Sequence, residues 1–218
     1  VYNQLSLKFF PAGNTGNQMG GWFNKAIEDV SDFKGLKFRM PGLGGEVLKS
    51  YGTNVVLLPG PDVVPAITSG TIDGTEWIGP AADLGKGLHK VCKHYYYPGW
   101  HEPGTCLEAF INLQAWQKLS KNLKRLVEVS CVKSNSSIAS EFFARNCFAV
   151  QKLRDQYNVS FMRYNNKVLR LLKDGYSPSK AMRYLIEKEK NQGAAIARNI
   201  GIKESIGRYL SLIHISEP

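Results

Sequence analysis

The fold is decided by residues Gly35–Glu46, which have the sequence Gly-Leu-Lys-Phe-Arg-Met-Pro-Gly-Leu-Gly-Gly-Glu. The pattern predicts a short strand that stops at a proline and a glycine-rich turn, followed by a helix. Arg39 stands at the end of the predicted strand. A guanidinium held beside a turn can bind a carboxylate through two parallel hydrogen bonds. We therefore predict that the surrounding chain presents Arg39 to a small organic acid.

Helix and strand patterns alternate after this turn. They predict a helix, a strand, a second helix and a third strand at Gly45–Tyr51, Asn54–Leu58, Asp62–Ser69 and Ile72–Trp77. Asp62 is the predicted cap of the second helix and Gly70 its stop. The alternation predicts a parallel α/β layer. Ligands of such sheets collect beyond the carboxyl ends of the strands, where Arg39 and Glu76–Trp77 both fall.

The flanking segments give further predictions. Strands are predicted at Leu5–Phe10, Leu107–Asn112 and Val159–Arg163. The first strand is expected to break at Pro11–Gly16, and Asn17–Phe23 to form a loop. Helices are predicted from residue 115 to about 157 and at Lys167–Leu172. A stripe near the 3.6-residue period predicts core packing by Ala139, Phe142, Phe143, Asn146, Ala149, Val150 and Leu153.

Composition narrows the class of protein. The chain has 218 residues, with 43% hydrophobic and 21% charged residues, which is ordinary for one large or two small globular domains. No apolar run approaches the length of a membrane helix. Val1 opens no signal peptide, so we expect the start of the chain to be missing or removed.

The net charge of +10 is unevenly distributed. Residues 118–172 contain 11 of the 28 Lys and Arg residues but 3 of the 18 Asp and Glu residues. A basic segment can bind nucleic acid or an acidic protein surface. These basic residues follow helix-like segments such as Lys118–Leu126 without interleaved aromatics, which favours solvated helix faces. The cysteines show no metal spacing, which favours buried thiols and leaves one disulfide open among Cys92, Cys106, Cys131 and Cys147.

Polar side chains are expected to converge near Arg39. Asn14 and Gln18 offer amide groups from a glycine-flanked loop, and Glu76 and Glu102 are carboxylates beside tryptophans. Two carboxylates and an amide oxygen form a hard oxygen site for Na⁺, Ca²⁺ or Mg²⁺. Such a cation would bridge the protein to a ligand carboxylate within aromatic walls that exclude water.

Catalysis is disfavoured by the same residues. His101 beside Glu102 could act as a general base, but the chain has no G-x-S-x-G elbow, phosphate loop or dinucleotide fingerprint. The ordinary alternatives are a surface salt bridge for Arg39 and a helix cap for Glu76. We predict acid binding and no enzyme activity.

Four motifs resemble the extracytoplasmic solute receptors of tripartite ATP-independent periplasmic (TRAP) transporters, of the DctP type. They occur in the order Asn14–Phe23, Lys34–Glu46, Ile72–Pro80 and Tyr95–Gly104. The resemblance is closest to the branch that binds 2-oxo and related monocarboxylates, such as pyruvate, and it covers roughly residues 1–172. It implies a two-lobed α/β fold of the type II periplasmic-binding-protein kind, with an incomplete first lobe and long C-terminal helices.

The resemblance also implies how such a protein works. It would act in the periplasm and deliver its ligand to a membrane permease driven by an ion gradient, with no nucleic-acid partner; a homodimer is left open. Arg39 would clamp the carboxylate, helped by Asn14, Gln18 and Trp77. Na⁺ or Ca²⁺ bound with the substrate would be held by Gln18, Glu76, the Trp77 backbone and Glu102.

The resemblance divides the chain into three parts. Residues 1–112 correspond mostly to the second α/β lobe with the ligand cleft, residues 113–172 to a helical return to the first lobe, and residues 173–218 to a divergent, chimeric tail. Within the tail, residues 187–209 resemble a segment of family 2 glycosyltransferases, and Leu210–Pro218 resembles a translated sequencing adapter. The rival function is therefore a glycosyltransferase-derived fragment, without its Asp-x-Asp motif and without activity of its own.

Overall fold

The structure is a computed structural model that describes residues 6–175. The strands are β1 (Leu7–Asn14), β2 (Gly21–Phe23), β3 (Lys37–Arg39), β4 (Asn54–Val56), β5 (Gly74–Thr75), β6 (His94–Tyr97), β7 (Cys106–Asn112) and β8 (Ser160–Arg163). The helices are α1 (Gly42–Ser50), α2 (Val63–Thr68), α3 (Pro80–Lys86), α4 (Leu113–Lys118), α5 (Lys121–Tyr157) and α6 (Asn166–Gly175). The segments that resemble a glycosyltransferase and an adapter lie outside the described residues.

Six strands form the central sheet, in the order β4-β3-β5-β2-β6-β8. β3 pairs in parallel with β4 and β5, and β6 pairs in parallel with β8. β2 is antiparallel to both of its neighbours, β5 and β6. The predicted parallel α/β layer is confirmed for β4, β3 and β5, and it belongs to a larger mixed sheet.

The stretch Gly35–Glu46 forms a strand and a helix as predicted. β3 ends at Arg39, and α1 begins at Gly42, earlier than the predicted Gly45. Gly42 has a φ of +66°, which glycine adopts without steric cost, so the glycine-rich turn and the start of the helix overlap. Asp62 occupies the N-cap position of α2 as predicted, but its side chain makes no capping hydrogen bond.

Two predictions for the N-terminal segment are wrong. β1 continues through Pro11 to Asn14, because it belongs to a two-stranded sheet with β7 and an edge strand tolerates proline. Residues Asn17–Phe23 are not wholly a loop, because Gly21–Phe23 forms the buried strand β2. Three residues are too few to reveal a strand period, so tertiary pairing decides this element.

Alternating aromatic residues place a hydrophobic cluster on each face of the central sheet. Trp22 and Tyr95 belong to one cluster, and their chain neighbours Phe23 and Tyr96 belong to the other. Successive strand residues point to opposite faces, which explains the division. Trp22 stacks on Tyr95 with ring centroids 3.8 Å apart, and Phe23 stacks on Phe38 at 4.7 Å. The sheet is therefore buried on both faces, as in α/β proteins.

α5 is a 37-residue helix whose apolar stripe is mostly not core. Of its residues, Ala149 and Leu153 are buried, whereas Phe143 is 74% exposed, so the predicted packing is wrong for much of the stripe. Arg125 and Arg145 are exposed and pair with glutamates about one turn away. This pairing agrees with the predicted solvated face. No helix within residues 6–175 is long and apolar enough to cross a membrane.

The chain divides into two compact units. Within the described residues, one unit contains residues 12–107 and 133–175, including the whole central sheet. The other contains residues 6–11 and 108–132, where Phe10 packs edge to face on Trp116 at 5.1 Å. The predicted boundaries at residues 112 and 172 stay a prediction.

The cysteines differ in burial. Cys92 is buried, and burial raises the pKa of its thiol to about 12. Cys131 is half-buried, whereas Cys106 and Cys147 are exposed, so the prediction of buried thiols is correct for Cys92 alone. No disulfide joins cysteines within the described part of the chain.

Candidate carboxylate-binding site

The carboxyl ends of β3 and β5 meet at one edge of the central sheet. Arg39 ends β3 and is the register partner of Thr75 in β5. Glu76 follows β5 directly, and its backbone N–H donates to the Arg39 carbonyl at 3.2 Å. Parallel pairing therefore brings Arg39 and Glu76 together.

Arg39 is a buried cation, 9% exposed. Its Nη1 lies 2.5 Å from Glu76 Oε1 and donates to the Glu76 carbonyl at 3.2 Å, while Nε donates to the Leu58 carbonyl at 3.4 Å. The guanidinium carbon lies 5.0 Å from the centroid of the Trp77 ring, within cation–π range. Arg39 is thus buried and held by three acceptors, and its charged partner here is the carboxylate that we predicted as a cation ligand.

Gln18 and Glu102 meet through a threonine. Gln18 Nε2 donates to Thr105 Oγ1 at 2.6 Å, and the Thr105 hydroxyl donates to Glu102 Oε1. Backbone bonds fix the same loops, since Gln18 N–H donates to the Pro103 carbonyl and Gly99 N–H to the Gln18 carbonyl. Gln18 Oε1 is buried and has no hydrogen-bond partner within residues 6–175. A buried oxygen without a donor is available as a ligand for a cation, and the predicted role of Gln18 as a metal ligand stays a prediction.

Asn14 is engaged in its own turn. Its Oδ1 accepts from the Gly16 N–H at 2.8 Å, and Gly16 has a φ of +66°. The structure therefore records a local structural contact for Asn14, and its predicted contact with the ligand stays a prediction.

The predicted site residues form two groups, linked by hydrogen bonds and, for Trp77, by a cation–π contact. Arg39, Glu76 and Trp77 form one, and Gln18 and Glu102 form the other. No hydrogen bond or ion pair within residues 6–175 joins Glu76 to Glu102. The described chain also holds no cluster of three or more His, Cys, Asp and Glu residues arranged for a metal ion. The predicted ligand set is of another kind, with two carboxylates, an amide and a carbonyl.

A cleft of about 510 Å³ adjoins the Gln18 side. It is mainly apolar and is lined by Asn17, Gln18, Met19, Tyr97, Pro98, Gly99, Pro103, Val150 and Phe161. Arg39 is not in its wall, so this cleft is not the predicted carboxylate clamp.

Asp83 is a second buried carboxylate that sequence reasoning missed. Its Oδ2 accepts from Trp22 Nε1 at 2.8 Å and from the Tyr95 hydroxyl at 2.6 Å, and its Oδ1 accepts from the Ile78 N–H at 3.1 Å. Burial raises the pKa of the Asp83 carboxyl to about 6, against the effect of these donors. The contact with Ile78 fixes the backbone directly after Trp77.

Thr105 was also missed, and His101 was considered only as a base. Thr105 lies three residues after Glu102, a spacing without a recognisable motif, so only the folded loop reveals its bridge. His101 is buried, with Nε2 3.4 Å from Glu76 Oε2. Asp83 could have been found from the buried tyrosine and tryptophan, because their polar groups need partners.

The chain matches known proteins in both sequence and fold. The family model described as bacterial extracellular solute-binding protein, family 7 (DctP), matches residues 3–178. A monocarboxylate 2-oxoacid-binding periplasmic protein of Nostoc sp. is 45% identical over 153 residues, which are 70% of this chain and 42% of the relative. These matches confirm the predicted class of solute-binding protein, which is a receptor and not an enzyme.

Solved structures agree. A TRAP periplasmic solute-binding protein from Pseudoalteromonas atlantica, with bound sodium and pyruvate, has a TM-score of 0.78 and 33% identity, covering 98% of this chain and 62% of that chain. One from Colwellia psychrerythraea, with bound calcium and pyruvate, has a TM-score of 0.76 and 34% identity, covering 97% and 64%. The chain thus spans less than two thirds of the length of these relatives.

Proposed function

Because the chain belongs to family 7 of the bacterial extracellular solute-binding proteins, we propose that it binds a small monocarboxylate of the 2-oxoacid class, such as pyruvate. Arg39 is the clamp for the ligand carboxylate, and Gln18, Trp77 and Asn14 complete the binding surface. The Nostoc relative and the pyruvate-bound structures support this ligand class.

The observation that carries the proposal is the buried, oriented guanidinium of Arg39. Three backbone and side-chain acceptors hold it at the carboxyl edge of the sheet, and the Trp77 ring covers it. Within residues 6–175, Arg39 Nη2 has no hydrogen-bond partner. A ligand carboxylate that displaced Glu76 from Nη1 would gain the two parallel bonds of the guanidinium fork.

A cation fits the oxygen atoms that remain. Gln18 Oε1 has no partner within the described residues, and displacement from Arg39 would release Glu76 Oε1. With the Trp77 carbonyl and Glu102, these oxygens are hard ligands suited to Na⁺ or Ca²⁺. The bound cation would balance the charge of Glu76 and of the ligand.

This ligand would be delivered to a TRAP membrane permease from the periplasm, as the names of the relatives suggest. A homodimer stays a prediction. The tail that resembles a glycosyltransferase lies beyond the matched residues 3–178, and nothing in the described residues favours that alternative.

The test is calorimetric titration of the 218-residue chain with pyruvate, in sodium, calcium or choline chloride. Loss of one partner of a buried charge-assisted pair costs about 2–5 kcal/mol, which is about 30-fold or more in affinity. We expect at least this loss in Arg39→Ala and an intermediate loss in Arg39→Lys, which keeps the charge without the fork.

The matched control is Arg145→Ala, which removes an exposed arginine from an ion pair with Glu141. We expect pyruvate affinity to be unchanged in this variant. Undiminished affinity in Arg39→Ala would refute the clamp. Absence of pyruvate binding by the parent chain in all three salts would refute the receptor function.

A further inference from the structure

His101 is a buried histidine with unused hydrogen-bonding capacity beside the Arg39–Glu76 pair. It is 7% exposed, and neither ring nitrogen makes a hydrogen bond within residues 6–175. Buried polar atoms almost always have partners, so this exception requires an explanation. Its Nε2 lies 3.4 Å from Glu76 Oε2, longer than the roughly 2.7–2.9 Å of a charge-assisted bond.

His101 is packed against Trp100 and the first turn of α1. The Trp100 ring lies edge-on to the His101 ring, with centroids 5.3 Å apart. The first turn of α1 also lies close to His101, since a Cβ added to Gly44 would be 2.9 Å from the His101 Cβ. The glycine-rich turn that follows Arg39 therefore also makes room for His101.

The two oxygens of Glu76 have different neighbours. Oε1 is bound to Arg39, the group that a ligand carboxylate would take over. Oε2 faces His101 at a distance that a small rotation of the carboxylate would shorten. When Arg39 turns to a ligand, Glu76 would lose its one charged partner while still buried, and such a carboxylate needs another donor.

We propose that His101 is a positioning residue that holds Glu76 through Oε2 while Oε1 passes from Arg39 to the cation. An imidazole that carries a proton on Nε2 donates to Oε2 and leaves Glu76 a single oxygen for the ion. This inference rests on the proposed function, because the ligand carboxylate drives the exchange. Donors behind a metal ligand typically change metal affinity about 10–100-fold when they are removed.

The test measures the concentration of NaCl or CaCl₂ that gives half of the maximal pyruvate binding in calorimetry. His101→Leu should raise this concentration about 10–100-fold. His101→Gln keeps an N–H donor near the position of Nε2 and should restore most of the loss. Rescue by glutamine distinguishes a donor from a side chain that merely fills space.

The chain offers a matched control in His89. This histidine is also buried, makes no ring hydrogen bond within the described residues, and packs on Tyr157 with ring centroids 4.2 Å apart. His89→Leu removes a similarly buried imidazole that forms no hydrogen bond or ion pair with Glu76 within residues 6–175. We expect it to leave the cation dependence unchanged.

A second measurement does not depend on bound ligand. In ¹⁵N-histidine NMR spectra of the parent chain, His101 should show the tautomer protonated at Nε2, and its Nε2–H signal should move in Glu76→Gln. An Nδ1-protonated His101 would overturn the inference. The inference would also be overturned if the parent chain binds pyruvate and His101→Leu has the same cation dependence as the parent. This outcome would not affect the proposed receptor function. A parent chain without any response to pyruvate and cation would overturn both.

Discussion

Glu76 and Asp83 are both buried carboxylates of one unit, but they have opposite kinds of partner. Glu76 faces a cation, Arg39, at 2.5 Å. Asp83 faces three neutral donors, from Trp22, Tyr95 and the backbone of Ile78. A charged partner can be taken over by another anion, whereas donors built into packed rings cannot turn away. Under the proposed function, this difference suits Glu76 to exchange and Asp83 to fixed support.

The energetics follow the same division. A buried ion pair contributes little net stability, because desolvation of both charges offsets their attraction. The proposed exchange of Arg39 between Glu76 and a ligand would therefore change the free energy of folding little. Asp83 contributes differently, since its donors Trp22 and Tyr95 stack in the core and would lose their acceptor with it.

The largest expected effect comes from Asp83→Ala. Hydrogen bonds to a charged group contribute about 1.5–3 kcal/mol each, and loss of this acceptor leaves buried donors unpaired. We expect the free energy of unfolding to fall by about 4 kcal/mol, measured by urea denaturation. Asp62→Ala is the control, because Asp62 is exposed and makes no capping bond, and it should change the value by less than about 0.5 kcal/mol. Equal stability of both variants would remove the structural role of Asp83.

A smaller effect is expected from pH. Burial raises the folded pKa of Asp83 from 3.8 to about 6, so the folded state binds this proton more tightly than the unfolded state does. The stabilising contribution is complete below about pH 4 and is lost as pH rises through about 6, by about 3 kcal/mol in all. Other carboxylates titrate in the same range, so the quantity to measure is the difference between the parent chain and Asp83→Asn. A difference that stays constant from pH 4 to 7 would contradict the raised pKa.

The Arg39–Glu76 pair could be predicted from the sequence. Arg39 follows a short apolar strand, Glu76 follows another, and parallel pairing brings strand ends together. The alternation of helices and strands therefore predicts both the layer and the edge where a ligand binds. Gln18 and Glu102 were predicted from residue type and family motif, and the structure joins them through Thr105.

The hydrogen bonds of Asp83 could not be predicted, because they depend on tertiary contacts between distant segments. Asp83 lies 61 residues from Trp22, and no local period connects them. β2 has three residues and gains its strand conformation from β5 and β6 on either side. The apolar stripe on α5 led to a prediction of more burial than the structure shows. Helical periodicity shows which residues share a face but not whether other elements cover that face.

The smallest expected effect tests a carboxylate between the two extremes. Glu102 is half-buried and accepts from one neutral donor, the Thr105 hydroxyl, which itself accepts from Gln18 Nε2. Thr105→Val keeps the shape and removes both bonds, so urea denaturation should show a loss of about 1 kcal/mol. Because Gln18 and Glu102 would lose their alignment, pyruvate binding should also need more cation, whereas Asp83→Asn should affect stability far more than cation dependence. If Thr105→Val lowers stability but leaves the cation dependence normal, Glu102 has a structural role like that of Asp83 and is not a cation ligand.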